Sequence, residues 1–282
     1  MSPMQSRDEF FKRAKKKVTI AVSSRDNLLI QSVSAVDELN KSSNLLFERL
    51  TEWYGMHFPE FRTPDNAKYV EGVLAIDRMA PDMAKLTPVF GPQAQSIADK
   101  ARASMGTVLS EEDILQARSL ALQVKAMWAL RDGIEAYEAK IAREICPNMS
   151  HLAGPELAAK LVAQSGGLQR MAMFPASTIQ VLGAEKALFK HLKSGSRPPK
   201  HGLIFQHPAI GMAPKKVRGK ISRALAAKLT IAAKADALSH NFIAEKLKVQ
   251  FEAQVKRIMA RQGAVEAGKP QGNSRDFQQR RH

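Results

Sequence analysis

The chain has 282 residues, 43 Lys and Arg against 27 Asp and Glu, and a formal charge of +16. An apolar content of 44% suffices for a packed core and excludes a fully disordered chain, while a lone cysteine, Cys146, excludes a disulfide scaffold and a Cys-rich zinc module. Aromatic residues at 6% argue against a β-sandwich and against a single-strand binder built mainly on base stacking.

The first residues lack the apolar stretch of a secretory signal, and no run approaches the ~18 apolar residues that span a bilayer. A cytoplasmic protein with no membrane partner is expected. Residues 1–24 form a short basic segment, with a helical pattern over 7–17. From residue 25 a long helical pattern begins, with Asp26 as a plausible cap. Its apolar positions Leu29, Val33, Val36, Leu39, Leu46, Leu50 and Trp53 fall mostly three, four or seven apart, on one helix face. Gly55, Pro59 and Pro64 break it. Shorter helical pieces follow to residue 105, interrupted by Pro81, Pro88, Gly91 and Pro92. Ser110 followed by Glu111, Glu112 and Asp113 then signals a helix start, with carboxylates where the dipole favours them. This second long helix carries a seam of Leu120, Val124, Met127, Leu130, Ile134, Tyr137, Ile141 and Ile145, and Pro147 ends it.

Two long seams predict an antiparallel coiled-coil hairpin over 25–146, with a helical insert. A hairpin buries little, so it is expected to dimerise through Leu29, Val33, Val36, Leu39, Leu46, Leu50, Val124, Met127, Ile134, Tyr137 and Ile141. The alternative is that both seams pack into one ordinary helical domain. A second helical domain is expected over 147–262, and a disordered basic tail over 263–282. The fold class is all-α.

Charge divides along the same line. Residues 1–185 hold 22 basic and 22 acidic side chains, whereas 186–282 hold 21 basic and five acidic ones. The entire excess sits in the last third, a field that attracts a polyanion, most commonly nucleic acid.

Enzyme signatures are missing: there is no P-loop, no dinucleotide fingerprint, no His-Glu-x-x-His and no nucleophile elbow. His201 and His207 have no Cys, Asp or Glu close by in sequence to complete a zinc site. No cofactor, metal or catalytic residue is expected. Three basic clusters stand out instead. Gly183-Ala184-Glu185 allows close backbone approach and leads into Lys186, Lys190 and Lys193 at helical spacing, with His191 beside them. Glu185 in a cationic cluster suits a hydrogen bond from a base or from protein. Phe189 suits a base or the core. The loop 198–208 offers Lys200, His201, Gln206 and His207 beside an apolar Leu203-Ile204-Phe205 run, which suits either RNA-shape recognition or a core plug. Lys216, Lys220 and Arg223 form a stripe, with Lys215, Arg218 and Lys228 around it. No acidic residue lies between Glu185 and Asp236 to pair with them.

At these residues the chain resembles the Nop domain. The resemblance runs through Pro175-Ala176-Ser177-Thr178-Ile179-Gln180-Val181-Leu182-Gly183-Ala184-Glu185-Lys186-Ala187-Leu188-Phe189. It continues in Lys200-His201-Gly202-Leu203-Ile204-Phe205-Gln206-His207-Pro208 and in Arg218-Gly219-Lys220-Ile221-Ser222-Arg223-Ala224-Leu225-Ala226-Ala227-Lys228-Leu229. Upstream, residues 26–31 and 50–60 resemble the coiled-coil arm of the archaeal form. The domain is shared by scaffold proteins of box C/D ribonucleoproteins and by a spliceosomal relative. The resemblance implies a non-catalytic scaffold that binds a box C/D guide RNA at a kink-turn already held by a small ribosomal-protein-like partner. It also implies pairing of two copies through the arm and support of RNA-guided 2′-O-methylation by fibrillarin. Two departures are visible. Lys190 stands where the family often has arginine, so charge is kept but the guanidinium fork is lost. The arm begins at residue 25, where the family has a sizeable fibrillarin-binding domain, so RNA binding is expected and fibrillarin recruitment is left open. Two rival readings are an RNA-processing enzyme with an unrecognised site and a protein-binding coiled-coil adaptor. A Nop-domain assembly factor without a methyltransferase is a third.

Overall fold

The computed structural model describes residue 7, residues 9–15 and residues 25–267; the expected tail beyond 267 lies outside the described residues. Among them every regular element is helical, so the all-α reading holds. Residues 9–15 are helical, as the basic N-terminal pattern suggests. No helix is long and apolar enough to cross a membrane. The chain divides into two compact units, one spanning Ser32–Tyr137, the other comprising residues up to Gln31 and from Glu138 onward. The division falls inside the two long helices, α1 (Arg25–His57) and α5 (Glu111–Ile145).

Within Ser32–Tyr137, α1 and α5 run antiparallel. Arg131 Nη1 donates to Asn40 Oδ1 at 3.4 Å, Phe47 packs on Trp128 with centroids 5.9 Å apart, and Leu50 and Tyr54 share a core with Ala117, Ala121 and Val124. Phe47, Tyr54, Phe58, Phe61, Tyr69, Phe90 and Trp128 gather here. Phe61 stacks on Tyr69 at 4.9 Å and on Phe58 at 5.6 Å, with Phe90 edge-on at 5.8 Å. Gly72 makes room for them: a Cβ there would lie 2.2 Å from Phe61 Cζ.

Three short helices build the insert: α2 (Asn66–Ala75), α3 (Met83–Phe90) and α4 (Ala94–Arg102). Asp65 and Asp82 cap the first two through carboxylate bonds to Ala67, Lys68 and Ala84 amides. Pro88 does not interrupt α3 but lies inside it, because Leu86 and Phe90 on either side are anchored in the core. Arg78 is buried and donates to the carbonyls of His57, Ser104 and Thr107 at 2.8, 2.7 and 3.1 Å, tying the segment before α5 to the end of α1. Ser110 and Asp113 form the expected capping pair at the start of α5.

The second unit carries α6 (Pro147–Ala153), α7 (Pro155–Ser165), α8 (Leu168–Ala172), α9 (Ala176–Val181), α10 (Glu185–Ser194), α11 (Pro208–Gly211), α12 (Arg218–Lys234) and α13 (Ala244–Ala267). Pro147 does end α5, and it also opens α6, where its missing amide costs nothing. Helix α12 is the hub. Its buried Ala224, Ala226, Ala232 and Ala233 are small enough for α6, α8, α9 and α13 to pack closely against it, while Ile221, Leu225 and Leu229 fill the gaps. Buried Asp236, in a π-helical turn after α12, accepts from the Asn148 and Met149 amides at 3.0 Å and from Asn148 Nδ2 at 2.7 Å, capping α6 from a distance. Asp26 does the same elsewhere. It accepts from the Leu168 amide at 2.9 Å at the start of α8. Helix α13 continues to Ala267, five residues into the segment expected to be a tail.

The hairpin seam is largely consumed within one chain. Leu29, Val33, Val36, Leu50, Val124 and Ile141 are buried, and Leu39, Leu46, Met127 and Ile134 are partly so; Tyr137 is exposed.

Candidate nucleic-acid interface

Two of the sequence motifs are stitched together through their backbones. The Gly202 amide donates to the Gln180 carbonyl at 2.9 Å, the Leu203 amide to Leu182 at 2.8 Å, and Gln180 Nε2 to the Lys200 carbonyl at 2.7 Å. A Cβ on Gly202 would fall 1.9 Å from the Leu182 oxygen. Gly183 has φ +84°, and a Cβ there would fall 2.5 Å from Leu203 Cγ. Both glycines therefore permit close approach of one segment of the chain to another.

Glu185 belongs to the same clamp. Its Oε1 accepts from the Gly183 amide at 2.8 Å and from Gln164 Nε2 at 3.2 Å. Partial burial pushes its carboxyl up, but the bonds from its own amide, the Gly183 amide and Gln164 outweigh burial and hold it below the usual carboxylate range. Of the two partners open to Glu185, the protein one is occupied. Gln164 on α7 carried no sequence signal for this role, because the pairing exists only after folding.

The clamp leaves α10 standing clear, since none of its side chains is buried. Lys186, Lys190 and Lys193 are exposed, with Phe189 at 68% and Leu192 at 71%. Phe189 is thus not a core residue. His191 Nδ1 bonds the Ser196 carbonyl and closes the end of the helix. Ala184 sits at the N-cap position.

The loop after α10 divides its residues between core and surface. Ile204 is fully buried, as the plug reading expects. His201 stacks on Phe205 with centroids 4.6 Å apart, and the Arg218 guanidinium lies 5.3 Å over the same ring. Arg218 Nε donates to the Ala213 carbonyl at 2.7 Å and Nη2 to Gly211 at 3.0 Å. Two of its five N–H donors thus hold the loop, which ties the Arg218 guanidinium to this part of the fold. His207 has a structural role of its own: its Nδ1 accepts from the Ala209 amide at 3.2 Å and caps α11, with its ring edge-on to Phe251 at 5.5 Å. Burial lowers the pKa of both histidines from the ordinary 6.5; for His201 the Arg218 charge adds to it, and for His207 a bond to the Leu152 backbone opposes it. Gln206, Lys200, Lys215, Lys216, Lys220 and Arg223 are exposed.

Among the described residues no group of three or more His, Cys, Asp or Glu side chains gathers to hold a metal. Cys146 is buried, its thiol donates to the Ala142 carbonyl at 3.1 Å, and burial pushes its pKa up to about 12, so it is not poised as a nucleophile.

A helical domain that spends its glycines and one carboxylate on clamping a loop, while leaving a helix of cations and apolar side chains unburied, has the build of an assembly module. The comparisons with known proteins say which. The Nop family profile, described as snoRNA binding domain, fibrillarin, matches residues 35–257. An uncharacterised NOP5 family protein of Methanocaldococcus jannaschii is 39% identical over 266 residues, covering 89% of this chain and 63% of that protein. Nucleolar protein 56 of Mus musculus is 38% identical over 247 residues, covering 84% of this chain and 43% of that protein. Among solved structures, a crystal structure of a fibrillarin/Nop5p complex matches with TM-score 0.51 and 26% identity, over 89% of this chain and 80% of that one. The chain belongs to the Nop family. It spans less than two thirds of the length of the two relatives.

Proposed function

We propose that the chain is a non-catalytic scaffold of a box C/D guide ribonucleoprotein. In this reading 147–262 docks on a kink-turn RNA already held by a small ribosomal-protein-like partner, 25–146 is the arm, and the assembled particle supports 2′-O-methylation by fibrillarin. The single observation that carries the reading is α10. A helix with no buried side chain, pinned at its start by Glu185, displays lysines for phosphates beside Phe189 and Leu192 for an apolar partner surface. Neither RNA alone nor protein alone uses both halves of that surface, whereas a protein-bound RNA does. Membership of the Nop family supports the RNA partner, and the solved fibrillarin/Nop5p neighbour supports fibrillarin as the enzyme served.

A second copy would meet the arm through Leu45, Leu122, Leu130 and Tyr137, which are exposed, rather than through the buried seam. The test of the site is the double variant Lys186→Ala/Lys190→Ala, bound to kink-turn RNA preloaded with its small binder. Weakened assembly with an unchanged melting temperature is expected; assembly equal to the parent chain would overturn the site.

A further inference from the structure

Helices α12 and α13 enclose an open groove of about 430 Å³ that shares only Lys228 with the three sequence motifs. Its lining holds three cations, Lys228, Arg257 and Arg261, and two amides, Gln250 and Gln254, with no carboxylate. Lys228 Nζ donates to Gln250 Oε1 at 2.6 Å, which fixes the lysine across the groove.

The two arginines stand four residues apart, about one helical turn, so both lie on the same side of α13, ~6 Å apart along its axis. An ordinary solvated helix offsets such charges with carboxylates three or four positions away. Around Arg257 those positions are Ala253, Gln254, Ala260 and Arg261; around Arg261 they are Arg257, Ile258, Ala264 and Val265. The acidic residues nearest in sequence, Glu252 before Arg257 and Glu266 after Arg261, each stand five positions away, outside that spacing, and Glu252 lines a different groove on α13, beside His207 and Phe251. None of the ion pairs among the described residues includes Arg257 or Arg261. Two like charges stacked at this spacing repel each other, so the arrangement costs stability unless an anion lies between them. On the neighbouring α12 the exposed face continues the same sign with Lys220, Arg223 and Lys234.

We propose that this groove seats a stretch of RNA backbone outside the α10 surface, with Arg257 and Arg261 each taking one phosphate and Lys228 closing the opposite wall. The proposal rests on the RNA-scaffold reading above and adds a second, sequence-independent contact to it. Guanidinium forks match phosphate oxygens bidentately, and the amides of Gln250 and Gln254 suit a wet, polar ligand.

The test uses the full chain and partner-loaded kink-turn RNA extended by flanking duplex. Affinity is measured across salt concentrations for the parent chain, for Arg257→Gln/Arg261→Gln and for Lys186→Ala/Lys190→Ala. Both arginines are exposed, so the first variant keeps its helix, checked by circular dichroism. Loss of two phosphate contacts reduces the log–log salt slope by ~1.4–1.8, and that reduction with weaker binding is the expected result. An unchanged slope in the arginine variant, with binding lost in the lysine variant, overturns the groove and leaves the α10 reading standing. Unchanged slopes in both overturn the two together. An unchanged RNA slope with loss of an acidic protein from the assembled particle overturns the proposal in favour of a protein ligand.

Discussion

Gly202 and Ile204 lie two residues apart and do opposite jobs: one admits the backbone of Leu182, the other fills the core. Adding a methyl group at Gly202 must displace the Leu182 carbonyl, since it would fall 1.9 Å from that oxygen. Gly202→Ala is therefore expected to lower the melting temperature and to loosen the turn that presents α10. Ile204→Ala removes a fully buried side chain and is expected to cost about 2–5 kcal/mol in a denaturant titration, with cavity formation as the cause. A loss below half a kcal/mol would show that the loop is not a core plug. The histidines give a pH signature. His57, His201 and His207 all lie below the ordinary 6.5, with burial the leading cause in each. Between those lowered values and 6.5 the unfolded chain binds more protons than the folded one, so stability falls as pH drops through this window. Melting temperatures at about pH 7.5 and 5.5 should differ in that direction, and the difference should shrink in His207→Gln. At this scale the sequence is legible only for types of residue. Glu185 stood out as an anomaly among lysines, but its partner Gln164 is 21 residues away and no local pattern links them. Arg78 is hidden for the same reason, since its three acceptors are backbone carbonyls.

Helix α10 illustrates what spacing reveals and what it conceals. Lys186, Lys190 and Lys193 mark a cationic face from spacing alone, but the same spacing makes Phe189 look equally suited to a core. Only packing decides, and it leaves the ring 68% exposed. Phe189→Ala should accordingly leave the melting temperature unchanged while weakening binding to partner-loaded RNA; a drop in stability instead would return Phe189 to a structural role. Helix boundaries divide in the same way. Ser110 with Asp113, and Pro147, are local signals and fall where the pattern puts them. Pro88 misleads because tertiary anchors override it: Leu86 and Phe90 hold α3 together across a proline.

Across the whole molecule, charge and apolar seams point to different kinds of partner. The seams promise a dimer, yet Leu50 and Val124 are fully buried in one chain, because a periodic apolar face does not specify whether its partner is another helix of the same chain or another copy. Leu122→Asp/Leu130→Asp is expected to reduce self-association seen by sedimentation without unfolding, whereas Val124→Ala should lower stability and leave the association state alone. An unchanged association state in the aspartate variant would remove these residues from any copy-to-copy contact. The cationic third, by contrast, is legible from composition alone, and its +16 surplus is consistent with the exposed lysines and arginines of α10, α12 and α13.

The central claim is that this scaffold reads RNA and protein as one surface. A gel shift that compares bare kink-turn RNA with the same RNA carrying its small binder tests it directly. Composite recognition predicts clearly tighter binding to the loaded RNA, because only then do Phe189 and Leu192 find an apolar surface while the lysines of α10 reach phosphate. Equal affinity for the two RNAs would contradict it.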